Sequence, residues 1–183
     1  MDKEVKEHIA NLDSTNDEIR LKALQTVLAL TESRVDWAYE VWDDLFEKLS
    51  DENSFQRSIA IMVLCNLAKS DPEDRLHDSL HLLLAHTKDD KFITSRQCIQ
   101  NIWKVATTSQ QTRERVFAHL EKRFRECTEE KHYNLIRQDI MQSIKLLYDH
   151  EKDEALLTRA YELLVEEEEQ KFRKKYEAIL KAG

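Results

Sequence analysis

Ile19-Arg20-Leu21-Lys22-Ala23-Leu24, Gln56-Arg57-Ser58-Ile59-Ala60-Ile61, Ser95-Arg96-Gln97-Cys98-Ile99-Gln100 and Ile136-Arg137-Gln138-Asp139-Ile140-Met141 align without a gap. Their arginines lie 37, 39 and 41 residues apart. Three positions after each arginine stands Ala23, Ala60, Ile99 or Ile140. Seven after it stands Val27, Leu64, Trp103 or Ile144, and ten after it Leu30, Leu67, Ala106 or Leu147. Steps of three, four and three keep side chains on one face of an α-helix, which turns once in about 3.6 residues. One amphipathic helix therefore recurs four times, and a recurrence at this period marks a stacked repeat.

Ahead of each of these helices lies a second amphipathic stretch. The four read Val5, Ile9, Leu12; then Trp37-Ala38, Val41-Trp42, Leu45-Phe46, Leu49; then Leu76, Leu80, Leu83-Leu84; then Val116-Phe117, Leu120, Phe124. Each unit is expected to be a helical hairpin, over residues 3–32, 35–69, 72–107 and 109–149. The breaks between them are polar: Glu32-Ser33-Arg34, Ser70-Asp71-Pro72 and Thr107-Thr108-Ser109. Pro72 suits the first turn of a helix that follows Asp71, where its missing N–H costs nothing. From 151 to 182, Leu156-Leu157, Ala160-Tyr161, Leu164-Val165, Phe172, Tyr176 and Ile179-Leu180 keep helical spacing without Gly or Pro. That spacing favours one long or kinked capping helix over the alternative, a fifth hairpin, and terminal repeats are commonly atypical. The whole of 1–183 reads as one domain.

Composition narrows the class further. The chain has one Gly and one Pro in 183 residues, with 41% hydrophobic residues. Hairpin turns and strand-to-helix crossings draw on Gly and Pro, so an all-α fold is expected. Phosphate-cradling loops need glycine, which sets aside P-loop enzymes and Rossmann dehydrogenases. A net charge of −8 opposes non-specific binding to nucleic acid, which works by neutralising phosphates. Met1-Asp2-Lys3-Glu4 lacks the apolar run of an export signal, and no run approaches the roughly 20 residues that span a bilayer. A cytoplasmic protein is expected, with Cys65, Cys98 and Cys127 as buried thiols.

The four units resemble the HEAT-repeat (HEAT/armadillo-like) family. That family carries an Asp in the turn between its two helices and an Arg early in the second. Asp13 with Arg20, Asp51 with Arg57 and Asp90 with Arg96 match the pattern. The fourth unit has Arg137, but its turn, Thr128-Glu129-Glu130-Lys131, has no Asp. An aspartate–arginine ladder should therefore weaken there. The resemblance covers residues 3 to 148 and implies a right-handed α-α superhelix, a HEAT-like solenoid of about four hairpins plus a C-terminal capping helix. It also implies that the second helices line the concave side. A tetratricopeptide array would show glycines, and a coiled coil would run its heptads through the polar breaks.

Among candidate sites, the arginines serve best as structural ion pairs to turn aspartates of the same or neighbouring units. His77 and His81, four apart, could face one metal ion, but no third ligand is indicated, so neither metal nor cofactor is expected. The iron-binding hydroxylases of HEAT type use repeated His-Glu pairs, and His150-Glu151 alone matches. No Gly-x-Ser-x-Gly elbow or electropositive cysteine marks a nucleophile. Trp37, Trp42 and Trp103 follow core spacing. The basic runs Arg113, Arg115, Lys122, Arg123, Arg125 and Lys171, Arg173, Lys174, Lys175 are interleaved with acids or preceded by them, as in Glu167–Lys171, and read as solvated faces.

Counting one, five and eight residues on from each arginine gives Leu21, Gln25, Leu28; Ser58, Met62, Cys65; Gln97, Asn101, Lys104; and Gln138, Gln142, Lys145. Through the resemblance, the partner-binding stripe on the concave side is Gln25, Gln97, Asn101, Lys104, Gln138, Gln142 and Lys145. Amides both donate and accept hydrogen bonds, which suits a protein or peptide; solvation of an exposed face explains the same residues. The function expected is a non-catalytic binding or scaffold module. The alternative is a HEAT-like DNA-binding protein or a DNA glycosylase acting on alkylated bases.

Overall fold

The computed structural model describes residues 1–182. Helix covers 79% of the chain, and the described residues contain no strand. Ten α-helices follow in order: α1 (Lys3–Asn11), α2 (Asp17–Leu30), α3 (Ala38–Lys48), α4 (Ser54–Leu67), α5 (Arg75–Ala85), α6 (Phe92–Asn101), α7 (Gln110–Glu126), α8 (Tyr133–Glu151), α9 (Glu154–Val165) and α10 (Gln170–Lys181). Short 3-10 segments prolong α4, α5, α6 and α7, the longest being Ile102–Thr107. The four arginine-bearing helices are α2, α4, α6 and α8. The chain forms two compact units, Met1–Cys98 and Ile99–Gly183, with the division inside α6.

Helix starts follow from short polar side chains that accept the orphan N–H groups of a first turn. Asp2 takes the Val5 N–H at 2.9 Å, Asn16 that of Glu18 at 2.9 Å, and Asn53 that of Phe55 at 3.0 Å. Ser109 and Asp153 do the same for Thr112 and Ala155. Pro72 corrects the expectation placed on it. It sits in a turn ahead of α5, which begins only at Arg75 because the Asp71 carboxylate reaches forward to the Arg75 and Leu76 N–H groups. With no internal glycine, left-handed backbone falls to Asp74, His132 and Lys152, at φ of 54°, 65° and 57°. Each costs about 1–2 kcal/mol relative to glycine.

In the first unit α4 is the central helix, with Ile59, Ala60, Ile61, Val63, Leu64, Cys65 and Leu67 all buried. Ala60 and Ala23 hold the same repeat position and are both buried; small residues there let helices approach closely. Polar stitches join successive hairpins. The Gln56 amide donates to the Leu12 carbonyl at 3.0 Å, and Asn66 donates to the Leu28 carbonyl and the Thr31 hydroxyl, both at 3.1 Å. Trp37 and Trp42 are in the core, as their spacing predicts.

In the second unit α8 touches α7, α9 and α10. Its core is built from Val116, Phe117, Leu120 and Phe124 against Ile136, Ile140, Ile144 and Leu147, with Leu163, Tyr176 and Leu180 added from the end of the chain. The single capping helix expected after 151 is in fact a fifth helical pair, α9 and α10. Two breaks make it so: left-handed Lys152 closes α8, and residues 166–169 leave the helix so that Glu167 can turn inward. Trp103 is half-buried on the 3-10 segment beside His150, where the 3.6-residue period no longer applies.

Candidate functional site

Three helix starts meet on one side of the first unit. Residues near the beginnings of α2, α4 and α6 line an open groove of about 620 Å³. Leu21, Leu24, Phe55, Ile59, Met62 and Ile93 supply its apolar walls, and Ser58, Thr94 and Gln97 its polar floor. Phe55 is 65% exposed, Ile93 61% and Leu21 55%. Scattered exposed apolar side chains are ordinary, but three from three helices lining one concavity are not. The core stays separate from them, because Ile61, Leu64 and Val27 on the opposite faces are fully buried.

Ion pairs stand beside the groove. Arg20 bonds Asp17 and the Ser14 carbonyl, and its guanidinium lies over the Phe55 ring. Arg57 holds Asp89 through two bonds of 2.7 and 2.8 Å, and Asp90 through one of 2.6 Å. It also donates to the carbonyls of Asp51 and Glu52. Side chains of Arg20 and Arg57 are only 16% and 10% exposed, while Asp17 and Asp90 are 87% and 69% exposed. Both guanidiniums are largely buried, the Asp89 side chain is buried with Arg57, and Asp17 and Asp90 face outward. Burial alone would raise the Asp89 carboxyl, but Arg57, the Lys91 N–H and His86 together hold it well below the ordinary carboxylate range.

Of the residues singled out from sequence, Gln97 lines this groove, with the neighbouring stripe positions Leu21, Ser58 and Met62. Gln25 is exposed on α2 outside it. Asn101, Lys104, Gln138, Gln142 and Lys145 belong to the second unit. There Lys104 donates to Asn101 at 2.8 Å, and buried Lys145 is paired with Asp149 at 2.6 Å. Gln142 is exposed, and Gln138 is half-buried with its side-chain oxygen unsatisfied. Phe55 and Ile93 are absent from the sequence-derived stripe. Their signal was available: both are apolar, precede the arginine by two or three positions, and lie off the core face.

The ladder takes another form than the motif suggests. Asp13 pairs with Lys48, not with Arg20, whose carboxylate is Asp17. Arg57 reaches across to Asp89 and Asp90 of the next turn, while Asp51 offers it only a backbone carbonyl. Arg96 lies over the Phe92 ring. The fourth position was expected to be weakest, yet Arg137 and Glu167 form a pair at 2.9 Å with both side chains buried. Glu167 is thereby withdrawn from Lys171, which pairs with Glu169 instead.

The basic runs are largely neutralised where they stand. Arg113 meets Glu151, Arg123 meets Glu130, Arg125 meets Glu166, and Arg159 meets Glu114 and Glu121. His77 is half-buried and His81 exposed. Among the described residues, no three His, Cys, Asp or Glu side chains gather as a metal site. All three cysteines are buried thiols, with burial raising Cys98 strongly and Cys127 less.

No family model matches the chain, and no curated protein matches it. Among solved structures, it is similar to the crystal structure of an engineered protein. That likeness has 13% identity and a TM-score of 0.56, over 98% of this chain and 78% of the other. At such identity the likeness shows the fold alone.

Proposed function

We propose that this chain is a non-catalytic, HEAT-like binding module that holds a protein or peptide partner, and that the groove of α2, α4 and α6 is its working surface. One observation carries the proposal: Leu21, Phe55 and Ile93 stay exposed around a concavity although the same helices bury their other apolar faces. Exposed apolar surface of this kind costs solubility unless something covers it. Its volume falls within the range of ligand-binding clefts, about 300–1,000 Å³. The recurrence of the arginine helix also supports a right-handed stacking of the hairpins, which small-angle X-ray scattering would test. A cytoplasmic setting belongs to the same proposal.

The test is a peptide-display selection against the intact chain, repeated with Phe55→Ser/Ile93→Ser. Both positions are solvent-facing, so the melting temperature should stay within about 1–2 °C, as for surface substitutions generally. Peptides enriched by the native chain should lose at least about tenfold in affinity for the variant, since two anchors of this size each contribute on the order of 1 kcal/mol or more. Enriched peptides that bind both forms equally would place the working surface elsewhere.

A further inference from the structure

Resting on the groove as the working surface, we infer that its occupant is an amphipathic helix with a basic polar face. The hydroxyls and guanidiniums at the groove are already engaged. Ser58 and Thr94 hydroxyls bond each other at 2.9 Å, and Thr94 also reaches the Ser54 carbonyl at 3.3 Å. Arg20 and Arg57 are tied to carbonyls and carboxylates of their own unit. An extended segment docked here would need new partners for its own N–H and C=O groups. A helix satisfies those groups internally and offers only an apolar stripe, which is what Leu21, Phe55, Met62 and Ile93 can receive.

Charge chooses the other face of that helix. Residues 1–98 contain 20 Asp and Glu against 12 Lys and Arg, whereas residues 99–183 contain 16 of each. The whole net charge of −8 therefore belongs to the unit that bears the groove. At the groove itself Asp17 and Asp90 stand against Arg20 and Lys91, with the arginine largely buried and both carboxylates exposed. Lys91 is an exposed cation of the lining, and it pairs with Asp90 at 3.2 Å. The starts of α2, α4 and α6 work in the opposite direction, each carrying about +0.5 charge. Those partial charges fade within one turn, and Asn16 and Asn53 already occupy the leading N–H groups of two of them. Full carboxylate charges facing solvent prevail, so Lys or Arg on the visiting helix is favoured and Asp or Glu repelled.

Three synthetic peptides of about 16 residues, near the length at which an isolated helix becomes marginal, test this. One has leucines at helical spacing i, i+3, i+4 and i+7 with lysines on the opposite face. The second replaces the lysines by glutamates, and the third is the lysine peptide with a central proline. Fluorescence anisotropy with the full chain should show the lysine peptide binding at least about tenfold tighter than the glutamate peptide in ~50 mM salt, with the margin shrinking severalfold near ~500 mM. The proline peptide should lose at least about tenfold. Equal binding of the two charge forms, tolerance of proline, or no binding by the lysine peptide would overturn the inference. Peptides from the display selection that are acidic or extended, and that still depend on Phe55 and Ile93, would do so too while leaving the groove standing as the working surface. Sedimentation of the chain alone supplies the remaining outcome. A dimer abolished by Phe55→Ser/Ile93→Ser would make the occupant a second copy and overturn the inference.

Discussion

Arg57 and Asp89 show how one pair of side chains can fix a turn. Asp89 sits between the Arg57 guanidinium, the Lys91 N–H at 2.8 Å and His86 Nδ1 at 2.9 Å, and so determines how the chain leaves the α5 segment and enters α6. Its carboxyl is depressed below the ordinary value of 3.8 in the folded chain. A depressed carboxyl stabilises the fold above its unfolded pKa, and that contribution is lost as pH falls through the folded value. Asp89→Asn should cost about 2–3 kcal/mol near neutral pH, because it weakens a buried charge pair. Urea titrations at several pH values check it: the gap between the native chain and the variant should hold from about pH 5 to 7 and narrow below about pH 4. A gap that widens in acid would mean that Asp89 is not held as a carboxylate. The repeat spacing places Arg57, and turn aspartates of the same or neighbouring units are its expected partners. That Asp89 takes the two-pronged contact, with Asp90 bound beside it, depends on the exact angle of a 3-10 turn.

Among the elements, the periodic apolar positions made α1 to α8 legible, since a helix that buries one face must repeat at about 3.6 residues. They failed where burial is polar. Glu166-Glu167-Glu168-Glu169 reads as a solvated helical stretch, yet Glu167 turns inward to Arg137, and the chain breaks there into α9 and α10. No apolar pattern announces such a break. Arg137 is further held by the Phe124 carbonyl at 3.0 Å and lies over the Phe124 ring, while Tyr176 donates to the Asn134 carbonyl at 2.8 Å. Burial, then the Glu169 carboxylate, pushes the nearby Tyr133 phenol up to about 12. Glu167→Ala strands a buried guanidinium and should cost about 3–5 kcal/mol. Hydrogen exchange should localise the loss: amides of α9 and α10 should speed up well before those of α7. Uniform acceleration across residues 99–182 would show that the fifth pair is not a separable layer. The groove was half legible for a related reason: Leu21 and Gln97 fall on the predicted stripe, but Phe55 and Ile93 belong to no periodic face.

For the molecule as a whole, the uneven charge has a consequence for stability. Self-repulsion among like charges opposes a compact state and is screened by salt, whose Debye length falls from about 30 Å at 0.01 M to 10 Å at 0.1 M. Raising salt across that range should slow exchange of buried amides in residues 1–98 and leave residues 99–182 nearly unchanged. Equal responses in both would mean that local ion pairs, not net charge, dominate the first unit. The three thiols make such comparisons possible without labels. Cys65 and Cys98 lie in the first unit and Cys127 in the second, all shut away from solvent and none bridged. A thiol reacts as its thiolate, and burial suppresses that form at Cys98 and Cys127. Alkylating reagents must therefore wait for the surrounding helices to part, and the reaction clock at each sulfur keeps time for the opening of its own unit. The chain carries its own stopwatches, one set in each half.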